Sequence, residues 1–349
     1  MTMFTMTPKE VRAAILECFE ARLVPFIQSS PGIGKSAIVA SIAKEFDLEL
    51  IDLRLSQCAP EDLMGLPMRL GEGTEMKAAF APFAMFPVVG DKLPKGKNGW
   101  LLFLDEFNSG TKMVQAAAYK LVLDRMVGQF RLHDDVYVVA AGNLASDRAI
   151  VNSLSTAMQS RLVHIEMELH HGEFMDFATA AQWDPRILAF LEFQPGKLHN
   201  FKPDHTDRTF ACPRTWDFVN RLINGKPKMN KPLLAGVIGE GVAVEFCTYA
   251  EIFAQLPSYT VICSDPDNTP IPRDPGPLYA TITMMGDKFS RATFKDAAKY
   301  ADRLPPEFQV LYLKSVKRRE PSFVRDQEFV RRSKRLVTFM AEDDMAMVA

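Results

Sequence analysis

The sequence predicts an α/β fold, a three-layer core around a five-stranded parallel sheet, followed by a helical region. Three observations predict it. Apolar runs at 23–27, 100–104, 136–141 and 162–167, with an alternating run at 48–55, read as strands. Each is separated from the next by a helical stretch or a longer insertion. Continuous apolar strands that alternate with helices belong to a parallel sheet covered on both faces. After about residue 172 the apolar spacing becomes helical.

The chain opens with a helix start at Thr7-Pro8-Lys9-Glu10. Thr7 can cap, Pro8 suits the first turn and Glu10 completes a capping box. Val11, Ala14, Ile15, Cys18 and Phe19 then recur at helical spacing. The strand at 23–27 leads into a Ser/Pro/Gly loop, a helix at 36–46 and the strand at 48–55. Two segments interrupt the rhythm. A hairpin insert over about 66–82 carries Gly71-Glu72-Gly73 at its turn, and a second, over 126–135, carries Gly128. Helices are expected at 174–183, 186–193 and 214–223. Five prolines between Pro266 and Pro277 predict a rigid loop over 265–277. Helical patterns resume up to about 340, and an acidic tail at 341–349 is expected to fray.

Composition sets the outer bounds. In 349 residues, 41 Lys plus Arg nearly balance 43 Asp plus Glu, and 47% of residues are hydrophobic. This excludes a disordered chain or a small disulfide scaffold, and gives no global argument for nucleic acid. The five cysteines are odd in number, dispersed and without a CxxC pair, as expected of buried thiols in a reducing compartment. No signal peptide is visible and no apolar run reaches the length of a membrane span. A soluble, cytoplasmic protein is the expectation.

The chemistry concentrates between the first strand and the following helix, in Ser29-Ser30-Pro31-Gly32-Ile33-Gly34-Lys35-Ser36. This fits the phosphate-binding P-loop except at its first position, where Ser29 replaces glycine. Gly32 and Gly34 permit the positive φ that turns backbone N–H groups inward, and the helix start faces the phosphates. Lys35 would reach the β- and γ-phosphates of a bound nucleotide, and Ser36 would bind Mg²⁺.

Leu101-Leu102-Phe103-Leu104-Asp105-Glu106 delivers two carboxylates at the end of a buried strand, where ligands of open parallel sheets bind. Asp105 would hold Mg²⁺ through water and Glu106 would polarise the attacking water. Asn143 ends the strand at 136–141 and either orients that water or is an ordinary turn residue after Gly142.

With PGIGKS, LLFLDEFNSG, VVAAGN, SRLVHIEM and CPRTW in that order, the chain resembles the AAA+ ATPases over residues 8–225. Within them, APEDLMGLP and LVLDRMVGQFRLHDDVYVVAAGN resemble the MoxR type. The resemblance implies a P-loop NTPase core over 1–172 and a helical lid with a C-terminal extension over 173–349. It implies Walker A roles for Lys35 and Ser36, with Ser30, Pro31, Gly32, Ile33 and Gly34 lining the nucleotide. It further implies Walker B roles for Asp105 and Glu106, sensor 1 for Asn143, and sensor 2 for Arg214. Arg161 matches the arginine finger that reaches a neighbouring subunit, and Arg148 is an unranked second candidate. The hairpins match inserts that usually face the pore or the substrate side. Phe107, bulkier than the usual residue before the Asn, is a departure, as is Ser29.

The expected activity is ATP hydrolysis with Mg²⁺ in a homo-oligomeric ring, a hexamer by resemblance. It would drive chaperone-like remodelling or metal-cofactor insertion, with a von Willebrand factor A-domain protein as partner. Two alternatives stand beside it: a motor on DNA, and a nucleotide-switched scaffold that hardly hydrolyses. Residues 314–335 carry nine basic and three acidic side chains, a net +6. They form either the solvated face of lid helices or a surface for nucleic acid or an acidic partner. His170-His171 lacks a third ligand at metal spacing, so no metal beyond Mg²⁺ is expected.

Overall fold

The computed structural model describes residues 4–70, 77–147, 151–204, 207–253 and 255–336. The chain divides into two compact units. The first holds residues 1–170 and 202–205, the second the remainder.

The first unit begins with β1 (Thr5–Met6), α1 (Pro8–Glu20), β2 (Val24–Ser29), α2 (Lys35–Glu45) and β3 (Leu48–Arg54). It continues with α3 (Pro60–Met64), β4 (Leu66–Leu70), β5 (Lys77–Ala81), β6 (Gly99–Asp105) and α4 (Lys112–Leu123). It ends with β7 (Met126–Val127), β8 (Phe130–Arg131), β9 (Val136–Asn143), α5 (Thr156–Gln159) and β10 (Leu162–Met167). Six strands form the main sheet in the order β1-β10-β2-β9-β6-β3. Every pairing in it is parallel. The five expected strands are present, and β1 adds a sixth at one edge through Thr5 and Met6.

Successive strand residues feed opposite faces, as a pleated strand requires. Phe26, Leu102, Leu104 and Val138 pack with Leu63, Val114, Ala118 and Leu121 of α3 and α4. Ile27, Leu101, Phe103 and Val139 pack with Val11, Ile15, Val39 and Ile42 of α1 and α2. That is the three-layer arrangement read from the sequence. The capping box of α1 is formed as expected: Thr7 N–H donates to Glu10 Oε2 at 2.8 Å and Glu10 N–H to Thr7 Oγ1 at 3.4 Å.

Both hairpins form outside this sheet, β4 against β5 and β7 against β8. The expected turn at Gly71-Glu72-Gly73 lies outside the described residues, as do Arg148 and the tail at 341–349.

The second unit is helical: α6 (His171–Ala180), α7 (Pro185–Phe193), α8 (Pro213–Ile223), α9 (Lys231–Ile238), α10 (Glu240–Phe253) and α11 (Tyr259–Ser264) come first. Then follow α12 (Pro275–Asp287), α13 (Phe294–Ala301), α14 (Pro306–Arg319) and α15 (Gln327–Arg335). The proline-rich loop expected over 265–277 stops at Asp274, because Pro275 and Pro277 open α12. The first turn of a helix has no use for those N–H groups, so proline is tolerated there. Among the described residues, no helix is long and apolar enough to cross a membrane. All five cysteines are free thiols.

Candidate functional site

Three adjacent strands, β2, β9 and β6, bring the loop with Lys35 and Ser36, Asp105 with Glu106, and Asn143 together at their C-terminal ends, while Arg161 lies apart from them. β2 ends at Ser29 and runs into the loop, β9 ends at Asn143 and β6 ends at Asp105. Ser29 is the register partner of Asn143.

In the loop, Gly32 has φ 79° and Gly34 φ 108°, left-handed values that favour glycine. Gly34 is the N-cap of α2 and supplies no side-chain acceptor. The first turns of α1, α4 and α5 are instead capped by Thr7, Thr111 and Ser155. A helix start without a side-chain cap, opening from a turn with two left-handed glycines, suits an anion such as phosphate.

Lys35 is buried in this loop. Its ammonium donates to Ser29 Oγ at 2.9 Å, Ser29 O at 3.0 Å and Asn143 Oδ1 at 3.3 Å. Ser29 does not take up a turn conformation in place of glycine. It is the last residue of β2, fully buried, and its hydroxyl also donates to Ser30 O at 3.1 Å.

Ser36 Oγ donates to Asp105 Oδ2 at 3.3 Å. A hydroxyl and a carboxylate side by side are hard oxygen donors that fit Mg²⁺. Glu106 follows with φ 52° and ψ 36°, left-handed for a residue with a side chain. That conformation costs about 1–3 kcal/mol and persists only where surroundings enforce it. Here its N–H donates to Asp105 Oδ1 at 2.8 Å. Its carbonyl accepts from Ser109 N–H at 2.9 Å and Gly110 N–H at 3.2 Å. Ser56 Oγ donates to Glu106 Oε2 in a short hydrogen bond. Phe107, the bulky departure, is fully buried, its ring 5.7 Å from Phe26.

Two further residues carry geometry that the sequence reading did not assign. Asp52 lies on β3, and partial burial pushes its carboxyl above the ordinary carboxylate range, with the Asp105 carboxylate adding to the rise. Asn108, 2% exposed, bonds the backbone of Asn143 twice. Both effects depend on strand neighbours distant in sequence, so no local pattern announces them.

Arg161 lies between α5 and β10. Its Nη1 donates to Ala157 O at 2.6 Å and to Ser160 Oγ at 3.2 Å. The guanidinium stands 4.9 Å over the Tyr119 ring, and its buried Nε has no hydrogen-bond partner among the described residues. The second unit holds Arg214, exposed in the first turn of α8. That helix is anchored by fully buried Trp216, whose indole N–H donates to Lys197 O at 2.9 Å.

No family model matches the chain. Among solved structures, a candidate ATPase from Cytophaga hutchinsonii is similar at 13% identity, over 88% of this chain and 81% of that one, with a TM-score of 0.36. A RuvB variant from Thermotoga maritima is similar at 12% identity, over 74% and 79%, with a TM-score of 0.39. The RuvB Holliday junction branch migration motor of that organism is similar at 14% identity, over 74% and 80%, with a TM-score of 0.36.

Proposed function

We propose that this chain is a Mg²⁺-dependent ATPase of the AAA+ type. One observation carries the reading: Lys35, Ser36, Asp105, Glu106 and Asn143 converge at the ends of three neighbouring strands beside an uncapped helix start. In this reading residues 1–172 are the nucleotide-binding core and 173–349 a lid with its extension.

Ser30, Pro31, Gly32, Ile33 and Gly34 wrap the phosphates, and Lys35 neutralises charge on the β- and γ-phosphoryl oxygens. Ser36 would hold Mg²⁺ directly and Asp105 through water, and the bound ion would supply Lewis-acid polarisation of the phosphoryl group. Glu106 orients the attacking water and accepts its proton, while Asn143 holds that water in line. Preorganised donors of this kind act most strongly where charge develops. Arg214 reads the bound nucleotide from the lid. Arg161, supplied to the site of a neighbouring copy, stabilises charge spread over the phosphoryl oxygens.

Shared sites require an assembly of copies, and by the sequence resemblance a hexameric ring of the MoxR type is proposed. Its task would be remodelling of a partner protein or cofactor insertion, with a von Willebrand factor A-domain protein as partner. The DNA-motor alternative draws little from the basic stretch. Arg318 pairs with Asp176 and Glu192, Arg319 with Asp287, Arg331 with Glu328, and Arg332 and Arg335 with Asp302.

ATP turnover per protomer, measured as protein concentration rises, tests the reading with Lys35→Ala as blank. Specific activity that climbs with concentration supports it. Turnover at the blank level throughout overturns autonomous hydrolysis and leaves a nucleotide switch.

A further inference from the structure

Asn108 stands one residue beyond Phe107, in the short 3₁₀ turn Phe107–Ser109 that follows Glu106. Its carboxamide reaches β9. Asn108 Nδ2 donates to Asn143 O at 2.8 Å, and Asn143 N–H donates to Asn108 Oδ1 at 3.1 Å. A backbone N–H can only donate and a carbonyl only accept, so the two contacts fix which way the amide faces. The side chain thus extends the parallel ladder by one rung at the point where β9 leaves the sheet.

The neighbouring residues are shaped around this clamp. A Cβ on Gly142 would lie 2.2 Å from Asn108 Oδ1, far inside the contact distance of a carbon and an oxygen that are not bonded. The Asn108 carbonyl accepts Asn152 N–H at 2.7 Å, and Asn152 Nδ2 donates to Gly110 O at 3.0 Å. Gln115 Nε2 donates to that same Gly110 carbonyl at 3.2 Å. Asn108 is therefore held on its own side while it holds Asn143.

We infer that Asn108 is a positioning residue: it locks the Asn143 backbone to the turn that carries Glu106, so that the Asn143 side chain meets Lys35. This rests on the ATPase reading above and adds to it the residue that ties the two water-handling groups together. Asn143 is half-exposed at a strand end, where its backbone would otherwise fray. Glu106 follows the end of β6 and Asn143 ends β9, and the Asn108 carboxamide bonds the turn after Glu106 to that strand end. A displacement of about 1 Å at such a group can cost on the order of a hundredfold in rate.

The test uses the full chain with Mg-ATP and four proteins: wild type, Asn108→Ala, Asn143→Ala and the double variant. Asn108→Ala is expected to lower kcat by about tenfold to a hundredfold while KM for ATP moves less than about threefold. In the Asn143→Ala background the same change should cost almost nothing further, because Asn108 acts through Asn143. Losses that multiply, or an unchanged kcat, overturn the inference while leaving the ATPase reading intact. Asn108→Asp, of equal size, keeps an acceptor for Asn143 N–H but sets a carboxylate oxygen against Asn143 O in place of the donor; it should lower kcat at least as far as Asn108→Ala. If Asn108→Ala fails to fold, Asn108→Ser takes its place in the cycle. Hydrogen exchange at the Asn143 amide decides the clamp without any turnover. Slow exchange in wild type that accelerates in the folded Asn108 variant supports it, even where wild type hydrolyses no faster than Lys35→Ala and the ATPase reading itself fails. Wild-type exchange as fast as in a free loop overturns the clamp.

Discussion

Lys35 Nζ lies 3.3 Å from Asn143 Oδ1, two residues 108 positions apart in the chain. The contact exists because Ser29, at the base of the phosphate loop, is paired with Asn143 in the sheet. The loop lysine therefore reports on the strand that carries the proposed water-orienting amide. Lys35→Ala is expected to lower ATP turnover by about a hundredfold or more, since in the proposed site it removes the charge that faces the phosphoryl oxygens. Nucleotide binding by a fluorescent ATP analogue should fall with it. Unchanged binding would move the phosphate site elsewhere.

Ser29 gives a second prediction. Its hydroxyl accepts from Lys35 at 2.9 Å and donates to Ser30 O at 3.1 Å, with no exposed surface. Ser29→Ala removes both bonds and should cost about 1 kcal/mol of stability. Ser29→Gly should cost about 0.5–1 kcal/mol more, because glycine loses more backbone entropy in a strand. Urea denaturation of the three proteins measures both steps. A more stable Ser29→Gly protein would mean that the loop prefers the glycine it lacks.

Much of this arrangement was legible in sequence, for a physical reason. Strands buried on both faces read as continuous apolar runs, so β2, β6 and β9 stand out. The phosphate loop is a local pattern with its glycines and lysine side by side. What stayed hidden is long-range. Ser56 finds Glu106 across 50 positions, and Asn108 finds Asn143 across 35. β1 has two residues and no periodicity to display. The left-handed backbone of Glu106 was hidden because its usual signal is a glycine.

Asp52 gives a pH prediction. Its pKa is raised, first by partial burial and then by the Asp105 carboxylate. The folded protein therefore binds a proton that the unfolded chain has already released. Stability contributed by this group is present at low pH and falls as pH rises from the ordinary carboxylate value through the folded pKa. Asp52→Asn should stabilise the protein at pH 7 by only a few tenths of a kcal/mol, since solvent screens a carboxylate that is no more than partly buried. The gain should vanish below about pH 4, where both states are protonated. Urea midpoints at the two pH values check the sign. A loss at pH 7 would mean that Asp52 has an attractive partner outweighing Asp105.

Arg332 is 5% exposed and reaches Asp302 at 3.1 Å, while Arg335 meets the same carboxylate at 2.6 Å. Arg332→Ala leaves Asp302 with one partner fewer and opens a gap against Phe294, which the guanidinium approaches to 5.9 Å. A loss of about 2–4 kcal/mol is expected, below the full cost of breaking a buried pair because Arg335 remains. These arginines are committed to structure. DNA binding, measured between 50 and 200 mM salt, should accordingly be weak, and its salt slope should not change in a folded Arg331→Ala protein. A slope that drops by about one unit would make Arg331 a phosphate contact.

Arg161 is held by Ala157 O and Ser160 Oγ and stacked on Tyr119, a posture fixed within its own subunit. If it serves a neighbour, two inactive proteins can repair each other. Arg161→Ala keeps its own loop but offers no arginine. Lys35→Ala offers the arginine but lacks a working loop. Alone, Arg161→Ala should turn over ATP about a thousandfold more slowly than wild type, and Lys35→Ala about a hundredfold or more slowly. Mixed after dissociation, they form junctions where an intact loop meets an intact Arg161, and turnover should rise well above the sum of the two. Tyr119→Leu should lower turnover less than Arg161→Ala, since it removes the stacking surface and leaves the charge in place. A mixture no more active than its parts would confine Arg161 to its own subunit and remove the main argument for sites shared across a ring.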